Sequence, residues 1–406
     1  MKSARRIVVV TQYYPPDRGT TAAIFSTIAQ HLAQEIPVVV LSGTAGSAQL
    51  TRTDRLSVLE VRNWTPAKGA LIKRAVAEIM FSIRVFFALM RTLGRNDAVL
   101  TVTAPFMMPY AVVAAARMKR ARSALIIHDL YPDALVAAGV IGAKSLIARA
   151  VRVANAIMFR ALDAIVIIGR DTGELLLQHY GEAVRGKLAF IPNWTTLLPS
   201  VRPLKVDNPF RNSCRDKFVV GLSGNLAFTH DPLVVFEAAR QLVDDRNIHF
   251  LMSGWGIGYD HLKLNQTAAN LPNVTFIDRV DDDRLEDFLA AADVWAIPYR
   301  KNMMGVSTPS RFYNLIAIGR PVVLVSEPEA EAAVIVKENN IGWVVLPGMP
   351  DELANAFRVA SQTKDNSMGE RAISVAKSFS VERAMASYAA LIKRLLQNTE
   401  LATPSS

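Results

Sequence analysis

The sequence predicts an α/β protein made of two doubly wound, Rossmann-like domains that face each other across a cleft. Short β-branched runs alternate with longer helical patterns, as parallel sheets covered on both faces require. This alternation restarts near Phe218, after a proline-rich stretch at 192–209 that is typical of an interdomain linker. The 406 residues, of which 51% are hydrophobic, suffice for two cores and exclude a disordered chain.

The predicted strands follow from the β-branched runs, taken in chain order. In the first half we expect strands at Ile7–Val10, Val38–Leu41, Ala98–Thr103, Ala124–Ile127 and Ala164–Ile168. In the second half we expect them at Phe218–Leu222, His249–Met252, Val274–Ile277, Val294–Ile297, Val322–Val325 and Trp343–Leu346. The helical patterns between them include Thr20–Gln34, Leu71–Leu93, Pro232–Leu242 and Asp282–Ala291.

These elements divide the chain into two domains, the first covering 1–195 and the second 196–379. A last helix at 380–396 has no strand after it, and we expect it to pack back on the first domain, with a tail at 397–406. In paired domains of this kind a ligand lies in the cleft, at the carboxyl ends of the strands.

The uneven distribution of charge along the chain indicates which kind of partner the first half binds. Residues 1–200 carry 24 Lys and Arg against 12 Asp and Glu, whereas 201–406 carry 22 against 24. A basic first half predicts an anionic partner such as phosphate, nucleic acid or a membrane surface. Aromatic-and-basic recognition motifs are absent from the sequence, which argues against nucleic acid. A single cysteine, Cys214, with six scattered histidines excludes an intramolecular disulfide and a Cys/His zinc site.

Two segments bear on membranes and targeting. The apolar run Ile7–Val10 leads into 13–16, Tyr-Tyr-Pro-Pro, and not into a small-residue cleavage site, so a secretory signal is not expected. The uncharged stretch Ala98–Ala116 nominally reaches membrane-spanning length. Because Pro105 and Pro109 interrupt it, we interpret it as a strand, a loop and the start of a helix.

Polar residues follow two predicted strands of the first domain. Gly19 and Thr20 lie where a predicted helix begins. The glycine permits unusual backbone geometry, and a threonine can cap the helix. The free amides at the helix start suit a phosphate or a sugar hydroxyl. His128 and Asp129 follow an apolar strand, at the end that faces the ligand crevice. The alternatives are an ordinary loop and a structural histidine, but the polar neighbours of His128 favour function.

A second group of polar residues begins a helix in the second domain. Ser307, Thr308, Ser310 and Arg311 surround Pro309, with Thr308 expected as the N-cap and the proline at the first helical position. Three hydroxyls, free amides and a guanidinium at one helix start form a diphosphate cradle. A well-capped helix without a ligand is the alternative.

Glycines at the ends of two strands complete the candidate site. Gly224 and Asn225 follow the second domain's first strand, and Gly254 follows the next strand. A glycine lets the backbone approach a ligand, and the asparagine side chain can donate to it.

As a set, these motifs resemble the family-4 glycosyltransferases of GT-B architecture, especially the bacterial subgroup that includes the L-fucosamine transferases of surface-polysaccharide assembly. The resemblance covers nearly the whole chain, through 12–19, 128–133, 191–194, 224–225 and 309–321. The run Asn-x-x-Ala-x-Gly-x-Pro-Val from Asn314 to Val322 matches the family's Glu-x-x-Ala-x-Gly-x-Pro-Val except at its first residue.

The resemblance implies an enzyme that transfers a sugar, with retention, from a nucleotide diphosphate sugar, a UDP-sugar being favoured, to a lipid-linked glycan acceptor. His128 would be the catalytic residue beside the transferred sugar, and Asp129 a neighbouring substrate contact. Gly19 and Thr20 would approach the diphosphate or the sugar from the first domain. The second domain would hold the diphosphate through Gly224, Asn225, Ser307, Thr308, Ser310 and Arg311.

Further expectations come from the same resemblance. Arg279 and Val280, after the predicted strand Val274–Ile277, fall where the family binds the nucleotide base. No metal and no cofactor is expected, because fixed donors and cations neutralise the leaving diphosphate. The resemblance also implies a cytoplasmic protein, peripheral on the inner face of the bacterial cell membrane.

The sequence departs from the family at the usual Glu-x7-Glu pair, where Val306 and Asn314 stand. Asparagine can hydrogen-bond a ribose hydroxyl but supplies no carboxylate. The family's Arg and Lys after the second domain's first glycine are also absent from 225–232, which leaves Arg311 as the best local substitute and Lys301 as a weaker one. Two other hypotheses therefore stay open: a noncatalytic GT-B protein that binds or scaffolds, and a nucleotide-sugar 2-epimerase.

The segment Lys68–Arg95 is predicted to dock on an anionic membrane. One helical stripe, expected to face the core, consists of Val76, Ile79, Met80, Ile83, Phe87 and Met90. Further apolar residues lie mostly outside it, namely Ile72, Phe81, Val85, Phe86 and Leu89. Lys73, Arg84 and Arg91 fall along one basic line, as in a helix that lies in a lipid interface. A helix buried on several sides is the alternative.

Overall fold

The computed structural model describes residues 5–50, 53–66, 71–202, 208–227, 229–363, 365 and 367–397. The strands of a first sheet are β1 (Ile7–Thr11), β2 (Val38–Ser42), β3 (Leu56–Glu60), β4 (Ala98–Val102), β5 (Arg122–Ile127), β6 (Ala164–Ile167) and β7 (Leu188–Phe190). Those of a second sheet are β8 (Phe218–Leu222), β9 (Ile248–Ser253), β10 (Val274–Ile277), β11 (Val294–Pro298), β12 (Val322–Val325) and β13 (Gly342–Val345).

The order of the strands is that of two doubly wound domains. The first sheet runs β3-β2-β1-β4-β5-β6-β7 and the second β10-β9-β8-β11-β12-β13. Each neighbouring pair in both sheets is parallel. The predicted α/β class with two parallel sheets is therefore confirmed.

Helices connect the strands and cover the sheets. In the first half they are α1 (Thr20–Leu32), α2 (Ser47–Leu50), α3 (Leu71–Thr92), α4 (Met108–Lys119), α5 (Asp133–Ala137), α6 (Leu146–Ala161), α7 (Arg170–Tyr180) and α8 (Glu182–Arg185). In the second half they are α9 (Pro232–Gln241), α10 (Ile257–Ala269), α11 (Leu285–Ala290), α12 (Ser310–Ala317), α13 (Glu331–Asn339), α14 (Pro350–Gln362), α15 (Ser367–Ser378) and α16 (Val381–Gln397).

Two helical layers cover the first sheet. In one layer α4 contacts both α3 and α6, and in the other α1 contacts α16. Because crossovers between parallel strands are right-handed, the two layers lie on opposite faces of the sheet. From α16, the side chains of Tyr388, Leu391 and Ile392 are buried in the same core as Val8 and Phe25. The last helix is thus part of the first domain's core.

The segment between the sheets is anchored to the second domain. Ser200 and Arg202 donate their backbone N–H groups to the carbonyls of Ala317 and Ile318 at 2.9 and 3.3 Å. Part of the predicted linker, 203–207, lies outside the described residues, as do 398–406 of the predicted tail.

The uncharged stretch Ala98–Ala116 forms β4, a loop and most of α4, as expected. Both β4 and the inner face of α4 are buried in the first domain. Across the described part of the chain, no helix combines the length and the apolar character needed to cross a membrane.

The structure reverses the predicted orientation of α3. The stripe expected to face the core is largely exposed, by 38–55%, at Val76, Ile79, Met80, Ile83 and Phe87. The helix instead buries Ala77, Phe81, Val85 and Leu89. Both stripes are apolar and follow helical spacing, so periodicity alone does not decide which one faces the sheet. Lys68 and the side chain of Ile72 lie outside the described residues.

Candidate active site

β5 carries the first pair of predicted site residues to the edge of the sheet. It ends at Ile127, so His128 and Asp129 follow at the carboxyl end of a central strand. The Thr103 hydroxyl, just beyond the neighbouring β4, accepts from the N–H groups of both residues at 3.1 and 3.3 Å. These two N–H groups are satisfied by the protein, so the imidazole of His128 is not needed to pair with them.

The imidazole of His128 has a nitrogen without a partner. Its Nε2 is buried and has no hydrogen-bond partner among the described residues. Burial lowers the pKa of His128 to about 4, so the ring is neutral at pH 7. A buried polar atom without a partner is costly, and a sugar hydroxyl entering the cleft can satisfy it.

The chain after β5 touches the second domain directly. The N–H of Leu130 donates to the Val306 carbonyl at 2.9 Å, and Asp129 forms an antiparallel β-bridge with Ser307. Burial raises the pKa of Asp129, and a hydrogen bond from the Ser307 side chain opposes that shift. The same serine side chain bonds Tyr299, whose pKa is raised by burial. The candidate residues of both domains therefore meet at Ser307.

Arg311 and Gly224 form the second half of the site. Gly224 has a φ of +110°, which favours glycine, and a Cβ built there would collide with the Arg311 guanidinium. Nη2 of Arg311 donates to the Asn225 carbonyl at 3.3 Å, whereas Nη1 is buried and has no partner among the described residues. Burial lowers the pKa of Arg311 to about 10, so it remains a cation at pH 7.

The ends of β8 and β9 are joined into one platform. Gly224 donates its N–H to the Ser253 carbonyl at 3.2 Å and accepts from the Trp255 N–H at 3.1 Å. A Cβ at Gly254 would stand 2.5 Å from the Gly224 carbonyl oxygen, so this close approach requires a glycine. Asn225 continues the platform through a parallel bridge to Trp255.

An aromatic and a basic residue extend the platform at the ends of β9 and β10. The guanidinium of Arg279 lies 4.5 Å from the centroid of the Trp255 ring, within range of a cation–π contact. Arg279 is exposed, whereas Val280 is half-buried and packs against the core of the second domain. The predicted base-binding position is therefore next to an exposed aromatic ring.

The start of α12 differs from the prediction in its cap. The N-cap residue is Pro309 and the helix begins at Ser310, so Thr308 is not the N-cap. The extended backbone of the proline ends the preceding loop one residue later than expected. Thr308 points toward the first domain, since a Cβ at Gly169 would stand 3.0 Å from its hydroxyl oxygen.

The two positions that replace the family's glutamates serve the fold. Val306 is 4% exposed and belongs to the core of the second domain. Asn314 accepts from the Thr196 N–H at 2.8 Å and donates to the Thr196 hydroxyl at 3.0 Å. Its side chain thus holds the interdomain segment, and its nucleotide contact stays a prediction.

Gly19 and Thr20 lie at the start of α1 and are exposed. Gly19 is the N-cap and its φ of −74° is ordinary, so the prediction that this position needs unusual backbone geometry was wrong. No side chain caps the helix, so the prediction of a threonine cap was wrong as well. Gly19 instead donates its N–H to the Asp17 carboxylate at 2.7 Å, and a Cβ there would stand 2.9 Å from the same oxygen. Their contact with a ligand stays a prediction.

A second contact between the domains escaped the sequence analysis. The Asp171 carboxylate, at the start of α7, accepts from the N–H groups of Gly305 and Glu331 at 3.0 and 3.1 Å. Arg170 forms an ion pair with Glu331 at 3.0 Å. These bonds fix the loop before Ser307.

Tyr299 and a buried histidine of the same region, His230, were missed as well, and no motif in the sequence marked them.

Among the described residues, no three His, Cys, Asp or Glu side chains come together in a way that would hold a metal ion. The cations that the site offers are guanidinium groups. The expectation that no metal or other cofactor takes part stays a prediction.

Comparison with known proteins bears on the activity. Residues 217–362 match the family described as glycosyl transferases group 1. A curated relative from Pseudomonas aeruginosa, described as "Probable glycosyltransferase WbjE", is 25% identical over 401 residues, which cover 98% of this chain and 100% of the relative. The chain is a glycosyltransferase. The prediction of an enzyme of this class is confirmed.

Solved structures define the fold of this glycosyltransferase. Sucrose-phosphate synthase from Thermosynechococcus elongatus superposes with a TM-score of 0.74 at 14% identity, covering 97% of this chain and 100% of the other. HepE from Anabaena, in complex with UDP and glucose, superposes with a TM-score of 0.70 at 18% identity, covering 96% and 99%. The fold of the glycosyltransferase is GT-B, as predicted.

Proposed function

We propose that this glycosyltransferase transfers a sugar, with retention, from a nucleotide diphosphate sugar to a lipid-linked glycan acceptor in the assembly of bacterial surface polysaccharide. One observation carries the proposal. Asp129 of the first domain, which directly follows His128, meets Ser307 of the second. His128 Nε2 and Arg311 Nη1 are buried, and neither has a hydrogen-bond partner among the described residues. Buried donors and acceptors of this kind are stabilised when a polar ligand enters.

The second domain supports a nucleoside diphosphate as the donor's leaving group. Arg311, Ser310 and the amides at the start of α12 offer charge and hydrogen bonds to the diphosphate. The exposed Trp255 ring and Arg279 offer a stacking surface for the base. UDP is the favoured nucleotide because HepE, a protein of the same fold, was solved with UDP and glucose.

A role in surface polysaccharide rests on relatives and on the resemblance. WaaG, described as a glycosyltransferase involved in lipopolysaccharide biosynthesis, superposes with a TM-score of 0.66 at 14% identity, covering 95% of this chain and 99% of the other. The subgroup of L-fucosamine transferases remains the proposed place of the chain within its class.

The exposed surface of the first domain supports an acceptor delivered at a membrane. The α3 face, which consists of Val76, Ile79, Met80, Ile83 and Phe87, is exposed between Lys73, Arg84 and Arg91. In the same helical layer, α6 exposes Leu146, Val153 and Ile157 beside Arg149 and Arg160. Apolar stripes flanked by cations suit the interface of an anionic leaflet. We therefore propose a cytoplasmic protein that lies on the inner face of the cell membrane.

Thermal shift across UDP, GDP, dTDP and ADP tests the donor site. We expect one nucleoside diphosphate to raise the melting temperature, because a ligand that binds only the folded state stabilises it. The same shift should be absent with the free nucleoside at equal concentration. No shift with any of the four would contradict the proposal.

A second candidate is a noncatalytic GT-B protein that binds polysaccharide intermediates or scaffolds a partner. It is favoured because Val306 is buried and the Asn314 side chain is hydrogen-bonded to Thr196, so neither side chain is free to take the place of the usual glutamate. Slow hydrolysis of the bound nucleotide sugar separates the two. Release of free sugar supports the enzyme, and binding without hydrolysis or transfer supports the scaffold. Mass analysis of the same reaction would reveal a changed nucleotide sugar if the chain were a 2-epimerase.

A further inference from the structure

A buried imidazole in the loop after β8 has one nitrogen without a partner. Only 8% of His230 is exposed. Its Nδ1 lies 2.9 Å from the Thr229 hydroxyl oxygen, whereas its Nε2 is buried and has no hydrogen-bond partner among the described residues. When the Thr229 hydroxyl donates to Nδ1, the proton of the neutral ring is on Nε2. His230 then presents a buried donor that lacks an acceptor.

The groups that face His230 belong to the diphosphate side of the candidate site. Its ring stacks on Tyr299, with centroids 4.8 Å apart and planes at 25°. The Tyr299 side chain in turn bonds the side chain of Ser307, the residue that forms the β-bridge with Asp129 of the first domain. Tyr299 and Ser307 therefore connect the imidazole to the contact between the domains. The stack holds the ring in place while Nε2 stays unsatisfied.

The charged groups that act on His230 are both cations. Burial, followed by the charges of Arg311 from α12 and Arg300 from the segment after β11, lowers the pKa of His230 to about 3. Arg300 also donates through Nε to the His230 carbonyl at 3.0 Å. An imidazole beside two guanidinium groups is neutral until an anion arrives, and a nearby negative charge raises its pKa.

We propose that His230 donates its Nε2–H to the diphosphate of the donor, beside Arg311, and takes up a proton from solvent at Nδ1, where the Thr229 hydroxyl turns to accept from the ring. This role rests on the proposed function and deepens it. The loop 225–232 holds no Arg or Lys, and a protonated His230 would supply the cation that the loop otherwise lacks. A charge-assisted hydrogen bond to a phosphate oxygen forms only with the ligand bound.

Calorimetry of UDP binding to the full chain tests this inference. Titrations at one pH, in buffers with different ionisation enthalpies, count the protons exchanged on binding. We expect His230→Gln, which keeps a neutral donor, to take up fewer protons than wild type and to bind UDP about tenfold more weakly. The ionisation of UDP itself is common to both proteins and cancels in the difference.

His249→Gln is the matched control. His249 is also buried, and burial lowers its pKa to about 4, but it lies at the amino end of β9, where Nε2 bonds the Thr275 hydroxyl at 2.8 Å. We expect this variant to exchange as many protons as wild type. Should His230→Gln fail to fold, Thr229→Val keeps the imidazole and removes its bond at Nδ1, and we expect UDP binding to weaken.

Two results would overturn the inference in distinguishable ways. If His230→Gln binds UDP with the proton uptake and affinity of wild type, or if a folded Thr229→Val binds UDP like wild type, the role of His230 is wrong and the proposed function stands. If wild type binds none of UDP, GDP, dTDP and ADP, the proposed function fails, and the role of His230 fails with it.

Discussion

Replacing Gly224 by alanine tests the geometry of the diphosphate site. The residue has a φ of +110°, which costs an L-residue about 1–3 kcal/mol. A Cβ there would lie well under 3.0 Å from the Arg311 guanidinium. Because that group is the end of a flexible side chain, Arg311 moves more readily than the backbone. We expect modest destabilisation and the loss of one Arg–phosphate contact, a loss in UDP affinity of about tenfold or more.

Gly348→Ala is the matched control for the strain. Gly348 lies in the same domain at a φ of +80°, and a Cβ there would have nothing within 4 Å. We expect it to lower the free energy of unfolding by about 1–2 kcal/mol without affecting UDP binding. Urea unfolding and calorimetry with UDP measure the two quantities.

A double-mutant cycle makes the test sharper. Because Gly224→Ala acts on UDP through Arg311, it should weaken UDP binding little further in the Arg311→Ala background. Two results would refute the inference that the Arg311 guanidinium lies against Gly224 to hold a diphosphate. One is a UDP affinity of Gly224→Ala equal to that of wild type, and the other is a loss of UDP affinity in the double variant equal to the sum of the two single losses.

Three further predictions follow from the site and the surface. Arg311→Ala should weaken binding of UDP much more than binding of uridine, and equal losses in calorimetry would remove Arg311 from the diphosphate site. Replacing Lys73, Arg84 and Arg91 by Gln should lower binding to anionic liposomes about a hundredfold in flotation, because each cation near the leaflet contributes about 1 kcal/mol. The control replaces three cations of the second domain by Gln, namely Arg215, Lys337 and Arg358, and should leave liposome binding unchanged. Wild type left in the soluble fraction at low salt would contradict this. The free energy of unfolding should fall as pH drops from 6.5 toward 4, because burial holds the pKa values of His128 and His249 near 4 and the unfolded chain binds the protons. A flat profile in urea titrations at pH 7 and pH 5 would show that these imidazoles are not buried as neutral groups.

The fold was predictable from the sequence wherever strands are central and apolar. The strands missed were β3 and β7, at the two edges of the first sheet. β3 alternates buried and exposed residues and is exposed at Glu60, and β7 has three residues. These two edge strands bury too few side chains to leave an apolar run, so their pattern resembles that of a loop. The edge strands of the second sheet, β10 and β13, are more apolar and were predicted.

The candidate site was predictable where a residue follows a strand directly. His128 and Gly224 could be placed from the ends of β5 and β8, because parallel strands bring their carboxyl ends together. Contacts created by the packing of two domains have no local pattern, as the bond between Asp171 and Gly305, 134 positions apart, illustrates. His230 was missed for the same reason: its importance comes from Tyr299 and Arg311, which are distant in sequence.

The most direct test of the central claim is a transfer assay with labelled nucleotide sugar and a lipid extract from the cell membrane. Wild type is expected to move label from the water-soluble donor to the lipid fraction. His128→Ala, folded to the same melting temperature, is expected to do so at least about a hundredfold more slowly, because a positioned group beside the reacting sugar contributes about that factor. Near-normal transfer by His128→Ala would contradict the assigned centre, and a wild type that binds the donor but neither transfers nor hydrolyses it would contradict the proposed activity.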